Sequence, residues 1–234
     1  MKKLLAGLLL FVVTILLAGV AVEFTASDKA RSDRYFRTRN VFQYMPGYVV
    51  FNALTGYRNA PQLDVPFVNE EFDTRVQTNS AGFRDDEASL LDPRVLMLGD
   101  SYLFGWGVAG EETVEKQYEK LTGKSCLNMG VSGYGNIQEL LLLLEWQRTR
   151  SLAGKDVFLF FCSNDLVENE NTSFNAFPFM KAQGDTKRFT SPDAAGFTKW
   201  QETASSWMID NGLARESMLF YYLLNGLRGR KDLY

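Results

Sequence analysis

At 234 residues with 46% hydrophobic side chains, the chain can bury one sizeable core and a small accessory lobe. A net charge of −3 leaves no basic surface to hold a phosphate backbone, which excludes nucleic acid as a partner class. The acidic runs Glu70-Glu71-Phe72-Asp73 and Asp85-Asp86-Glu87 read as solvated loops, and no metal or other cofactor is expected.

Lys2 and Lys3 precede an uncharged apolar run from Leu4 to Val22. At about 1.5 Å per residue these nineteen residues reach roughly 28 Å as a helix, close to the ~30 Å hydrocarbon core of a bilayer. Gly19-Val20-Ala21 offers a weak signal-peptide cleavage site, but the run is longer than the usual apolar region of about 7–15 residues. The preferred reading is an uncleaved transmembrane anchor over 4–22, its lysines holding the N-terminus in the cytoplasm. Everything after Glu23 is then exported, and the soluble part is expected on the periplasmic face of a cell membrane.

Residues 23–90 divide into a juxtamembrane stalk and a small lobe. Up to about residue 47, mixed charges and aromatics (Arg31, Arg34, Tyr35, Phe36, Arg37, Arg39, Phe42, Tyr44) suit a stalk lying near lipid headgroups, and no fold can be read there. From Tyr48 to Arg84 short apolar stretches alternate with Gly, Pro and Asn, as in an irregular β-rich lobe.

Over 91–234 the texture becomes strand, helix, strand, helix, strand. Val95-Leu96-Met97-Leu98, ended by Gly99, reads as a strand buried on both faces. A helix over about 113–122 has Thr113 as N-cap and Gly123 just past its end. Cys126-Leu127-Asn128-Met129 begins a second strand, and Asn136 with Glu139 gives a capping-box spacing for the helix that follows. Val157-Phe158-Leu159-Phe160-Phe161 reads as a third buried strand. This alternation predicts an α/β fold with a parallel sheet covered by helices. After Asp165 only helices near 198–210 and 213–228 can be read, so the sheet is expected to be incomplete beside the five or so strands usual in such domains. Cys126 and Cys162 lie at different predicted strands and read as two buried small hydrophobes.

Chemistry-bearing residues follow each strand. Gly99-Asp100-Ser101 comes directly after the first, at the sheet edge where open α/β folds bind ligands. Asn128-Met129-Gly130-Val131-Ser132-Gly133-Tyr134-Gly135 follows the second, its glycines letting backbone N–H groups approach a ligand. Cys162-Ser163-Asn164-Asp165 follows the third. Gly105-Trp106-Gly107-Val108-Ala109-Gly110 fits the dinucleotide fingerprint, but it begins too far past the strand for that use.

Together, over about residues 75–170, these motifs resemble blocks I, II and III of the SGNH hydrolases, the GDSL-type esterases and lipases. Asn79-Ser80-Ala81-Gly82-Phe83-Arg84 and Gly105-Trp106-Gly107-Val108 are similar to segments flanking block I in membrane-anchored bacterial members. The resemblance implies a three-layer, flavodoxin-like sheet with the Val95–Leu98 strand between the other two. It implies Ser101 as nucleophile, with Ser101 N–H, Gly133 N–H and the Asn164 side chain as oxyanion donors; Gly130 is the less favoured block II glycine. Cys162 stands where block III usually has glycine. The family's block V, Asp-x-x-His, has no counterpart, because the chain contains no histidine.

The resulting expectation is a serine esterase or acyltransferase acting on ester-linked acyl groups, its partner an acylated small molecule or cell-surface glycan. Activity of these residues alone is expected to be lost with the catalytic imidazole, and the C-terminal part of the domain is expected to be missing. The alternative is a non-catalytic, membrane-anchored module that binds an acylated ligand or partner at the same site.

Overall fold

A computed structural model describes residues 2–183, 186–208 and 212–228, which fall into two compact units, Met1–Arg39 with Ser206–Leu233, and Asn40–Ser205. The first unit opens with α1, Lys2–Thr25, one helix long and apolar enough to cross a membrane. Its threonines need no external partner: the Thr14 hydroxyl donates to the Leu10 carbonyl at 2.8 Å and that of Thr25 to Ala21 at 2.8 Å. The stalk region is more ordered than its composition suggested. Ser27 caps α2, Asp28–Arg37, by accepting from Ala30 N–H at 3.2 Å, with Asp28 in the first turn and Arg34 and Arg37 in the last.

The second unit begins with two antiparallel hairpins, β1 (Val49–Asn52) with β2 (Gly56–Asn59), and β3 (Asp64–Val68) with β4 (Asp73–Gln77). In the first turn the side-chain Oδ1 of Asn52 accepts from Leu54 and Thr55 N–H, and Gly56 takes a φ of +88° that a side chain would resist. The lobe has an aromatic core: Phe42 lies 5.4 Å from Phe67 and 4.7 Å from Phe104, ring to ring.

The α/β part supplies β5 (Val95–Gly99), the short helix α3 (Ser101–Phe104), α4 (Val114–Thr122), β6 (Cys126–Asn128), α5 (Asn136–Gln147) and β7 (Asp156–Phe160). The strands pair in parallel in the order β6-β5-β7, Val95 opposite both Cys126 and Asp156, so β5 is central as expected and every residue of it is buried. Both cysteines are free, on either side of β5. Gly123 ends α4 with a φ of +70°. Thr113 precedes α4, but its hydroxyl oxygen lies 2.6 Å from both Gly110 O and Glu115 Oε1 and makes no cap bond.

Two expectations are corrected. The third strand is not buried: Val157, Phe158, Leu159 and the following Phe161 are all exposed, β7 having β5 as its one neighbour among the described residues. The helix α5 starts at Asn136, with Gly135 as N-cap and Gln138 reaching back to Gly135 N–H, so the Asn136–Glu139 pairing is a side-chain bond inside the first turn.

Past α6 (Asp165–Glu168), an antiparallel hairpin of β8 (Phe179–Gln183) and β9 (Thr186–Thr190) leads to α7 (Ala194–Trp207). Among the described residues the parallel sheet has three strands. In the first unit α8 (Gly212–Glu216) and α9 (Met218–Arg228) follow, and Ala214, Met218 and Tyr221 form a buried cluster with Val22, Ala26, Ala30 and Leu224 packed against it.

Candidate functional site

Because β5, β6 and β7 run in parallel, the loops after Gly99, Asn128 and Phe160 leave the sheet at one edge. Asp100 turns the chain there. Its buried carboxylate caps α3, Oδ1 accepting from Tyr102 N–H at 2.9 Å. Ser101 is the first residue of α3, and Gly105 ends it at a φ of +87°.

Arg84 holds this turn from below. Its guanidinium donates to Phe104 O at 3.0 Å, to Gly105 O, and to Val108 O at 2.7 Å, fixing the end of α3 and the glycine loop together. Burial pushes its pKa down to about 10, a nearby Glu115 charge opposing. Asn79 shapes the turn that delivers Arg84, its side-chain Oδ1 accepting from Ala81 and Phe83 N–H. A side chain on Gly105 would meet Thr113 and Arg84, and one on Gly107 would meet Phe72, so these glycines serve packing.

The loop after β6 is anchored by Asn128, whose amide donates to Leu103 O at 2.9 Å and to Glu115 Oε2 at 2.8 Å, and accepts from Gly130 N–H at 2.9 Å. Gly130 is pressed on the α3 backbone, where an added Cβ would stand 2.4 Å from Phe104 N. Gly133 has a φ of +80°, with Tyr57 and Gln43 against it; the Tyr57 hydroxyl donates to Ser132 O at 2.7 Å and the Ser132 hydroxyl to Gln43 at 2.8 Å. Tyr57 in turn stacks on Trp200 at 5.3 Å. Among the described residues the backbone N–H groups of Ser101 and Gly133 make no hydrogen bond.

The third loop closes on the first. Asn164 Nδ2 donates to Asp100 Oδ2 at 3.1 Å, and Ser101 Oγ approaches the same oxygen at 3.4 Å. The two side chains therefore lie within about 6.5 Å of one another, the two distances end to end. At 3.4 Å the serine bond is longer than a normal O–H···O contact, so Asp100 orients Ser101 only weakly. Asp165 shapes this loop, Oδ2 accepting from Cys162 N–H at 2.9 Å and from Asn136 Nδ2 at 3.0 Å, while Asn136 also donates to Glu139 Oε2 at 2.9 Å.

One amide thus serves two buried carboxylates, and Glu139 Oε1 and Asp165 Oδ1 have no partner among the described residues. Burial raises the Glu139 pKa to about 7, with the Asp165 and Asp100 charges adding and the Asn136 hydrogen bond opposing. Burial likewise raises Asp165, opposed by the Cys162 N–H, and raises Glu168 in the following helix. A proton is thereby held near neutral pH beside the serine loop. Among the described residues no group of three or more Cys, Asp or Glu side chains is placed to hold a metal ion.

The structure brings Ser101 and Asn164 together and sets Gly133 in the neighbouring loop. Reading by motif missed Arg84, Asp100, Asn136 and Glu139, whose partners are mostly backbone carbonyls or residues far along the chain. All four stand in quoted segments, Arg84 in a flank, Asp100 beside Ser101, and Asn136 with Glu139 at a helix start, but none for the role it has here. No family model matches the chain, and no curated protein matches it.

Proposed function

We propose that this chain carries the nucleophile and oxyanion donors of an SGNH-type serine esterase or acyltransferase, anchored by α1 and acting on ester-linked acyl groups outside the cytoplasm. The observation that supports it is the convergence of Ser101 Oγ and Asn164 Nδ2 on one oxygen of Asp100; among the described residues the backbone N–H groups of Ser101 and Gly133 make no hydrogen bond. The β6-β5-β7 order is the one the SGNH resemblance implies.

In this reading Ser101 Oγ bonds to the acyl carbon, the ester oxygen leaves, and the developing oxyanion takes hydrogen bonds from the two backbone N–H groups and Asn164. The Oγ proton needs an acceptor. The Asp100 oxygen at 3.4 Å is too distant for a normal O–H···O bond, and removing the histidine from such a triad costs up to about 10⁶ in kcat. A second reading, a non-catalytic module binding an acylated small molecule or glycan at the same site, is favoured by the absence of histidine and by the engagement of Asn164 with Asp100.

Hydrolysis of p-nitrophenyl acetate by the chain and by Ser101→Ala, each alone and fused to a C-terminal segment carrying Asp-x-x-His from an SGNH hydrolase, tests the assignment. The unfused pair is expected to differ little, and the fused chain to turn over in a Ser101-dependent manner. Turnover of the fusion that survives Ser101→Ala would refute Ser101 as nucleophile.

A further inference from the structure

From Met218 to Leu227 helix α9 contains no charged residue, and at about 1.5 Å per residue it is far too short to span a bilayer. One side is occupied: Met218 and Tyr221 are buried, Leu224 packs on the same cluster, and Asn225 accepts a hydrogen bond from Arg37. The opposite side is also apolar. Phe220, Leu223 and Leu227, spaced i, i+3 and i+7, are 37%, 53% and 82% exposed.

The position of α9 on α1 says what covers that side. Its first N–H, that of Met218, donates to Glu23 Oε2 at 2.9 Å, and Glu23 is the first charged residue after the apolar run. The next residue, Leu219, lies 3.9 Å from the place of a Cβ on Gly19, inside that run, and Val22 joins the α9 cluster. A helix resting on Gly19 and Val22 stands at the level where α1 leaves the hydrocarbon.

We propose that α9 is an interfacial helix: Phe220, Leu223 and Leu227 lie in the lipid of the leaflet from which α1 emerges, so this chain meets the membrane through two elements. The inference rests on α1 as a membrane span. It gives the end of α1 a packing role that cleavage would abolish.

Depth-dependent fluorescence quenching tests it in the full chain reconstituted into phosphatidylcholine–phosphatidylglycerol vesicles. Cys162 is replaced by alanine; Cys126 is left in place because it is buried and its thiol is pushed up to about 12. A thiol-reactive NBD label is placed on Leu223→Cys or Leu227→Cys, on Leu9→Cys within α1, and on Leu121→Cys, exposed in the other unit. The α9 labels are expected to emit to the blue of the Leu121 label and to be quenched several-fold more than it by lipids doxylated near the headgroup. Water-like emission and no quenching at 223 and 227, with Leu9 quenched, would overturn the α9 assignment alone. Blue emission without lipid quenching would assign the face to a second copy or another protein and overturn it equally. Loss of quenching at Leu9 as well would remove the membrane reading and the inference with it.

Discussion

Arg84→Met removes the brace beneath the serine turn while keeping an apolar stem of similar length. Three short hydrogen bonds go with the guanidinium, to Phe104, Gly105 and Val108 carbonyls. Bonds to a charged donor contribute about 1.5–3 kcal/mol each, so the gross loss is roughly 4.5–9 kcal/mol. Burial has already cost the guanidinium something, since its pKa falls from 12.5 to about 10. At about 1.4 kcal/mol per pKa unit, removing that charge returns roughly 3.5 kcal/mol, and the net destabilisation is about 1–5.5 kcal/mol. In a chain of this size each kcal/mol moves Tm by about 2–4 °C, so Arg84→Met should melt on the order of 5–15 °C lower. Arg84→Lys keeps a charge but not the planar fork, and should fall between the two. Thermal unfolding of the detergent-solubilised proteins measures Tm, and hydrogen exchange should show protection lost first at Phe104–Val108. A Tm within about 2 °C of the parent would refute the brace.

The proton held by Glu139 makes stability pH-dependent. Its folded pKa of about 7 exceeds the ordinary 4.5, so the folded state binds a proton that the unfolded state has released between those values, and stability falls as pH rises through that window. Denaturant melts at pH 5 and pH 7.5 should show Glu139→Gln abolishing up to about 3 kcal/mol of that fall; Glu115, also raised to about 7 by burial, supplies a separate share that Glu115→Gln removes. Gly133→Ala should cost about 1–2 kcal/mol in the same melts, because Ala resists a φ of +80° and its Cβ would stand 2.8 Å from the Tyr57 hydroxyl. Asn164→Ala leaves Asp100 with fewer donors and should lower any Ser101-dependent acylation by about 10²–10³ while changing Tm little.

Central strand β5 was legible because a run buried on both faces is apolar throughout, and the Gly123 stop because only a left-handed residue ends α4 there. The same apolar texture misled at β7, since an edge strand and a buried one look alike until their neighbours are known. Helix α2 was hidden by its charge, although Ser27, Asp28 and Arg37 stood where a cap and the helix dipole would want them. At α5 the Asn136–Glu139 spacing was real, but the bond it forms lies one residue inside the helix. Within the site, Ser101 and Asn164 could be found from their places after strands. The Arg84 brace and the Asn136-bridged carboxylates depend on carbonyls and side chains that only the fold assembles.

The central claim is that Ser101 is an acyl acceptor whose missing partner is a base. Peptide mass spectrometry of the full chain after incubation with p-nitrophenyl acetate, with and without free imidazole, addresses it directly. The account predicts little acetylation without imidazole and a marked, Ser101-localised rise with it, absent in Ser101→Ala. Acetyl groups spread over lysines with none gained at Ser101 would contradict it.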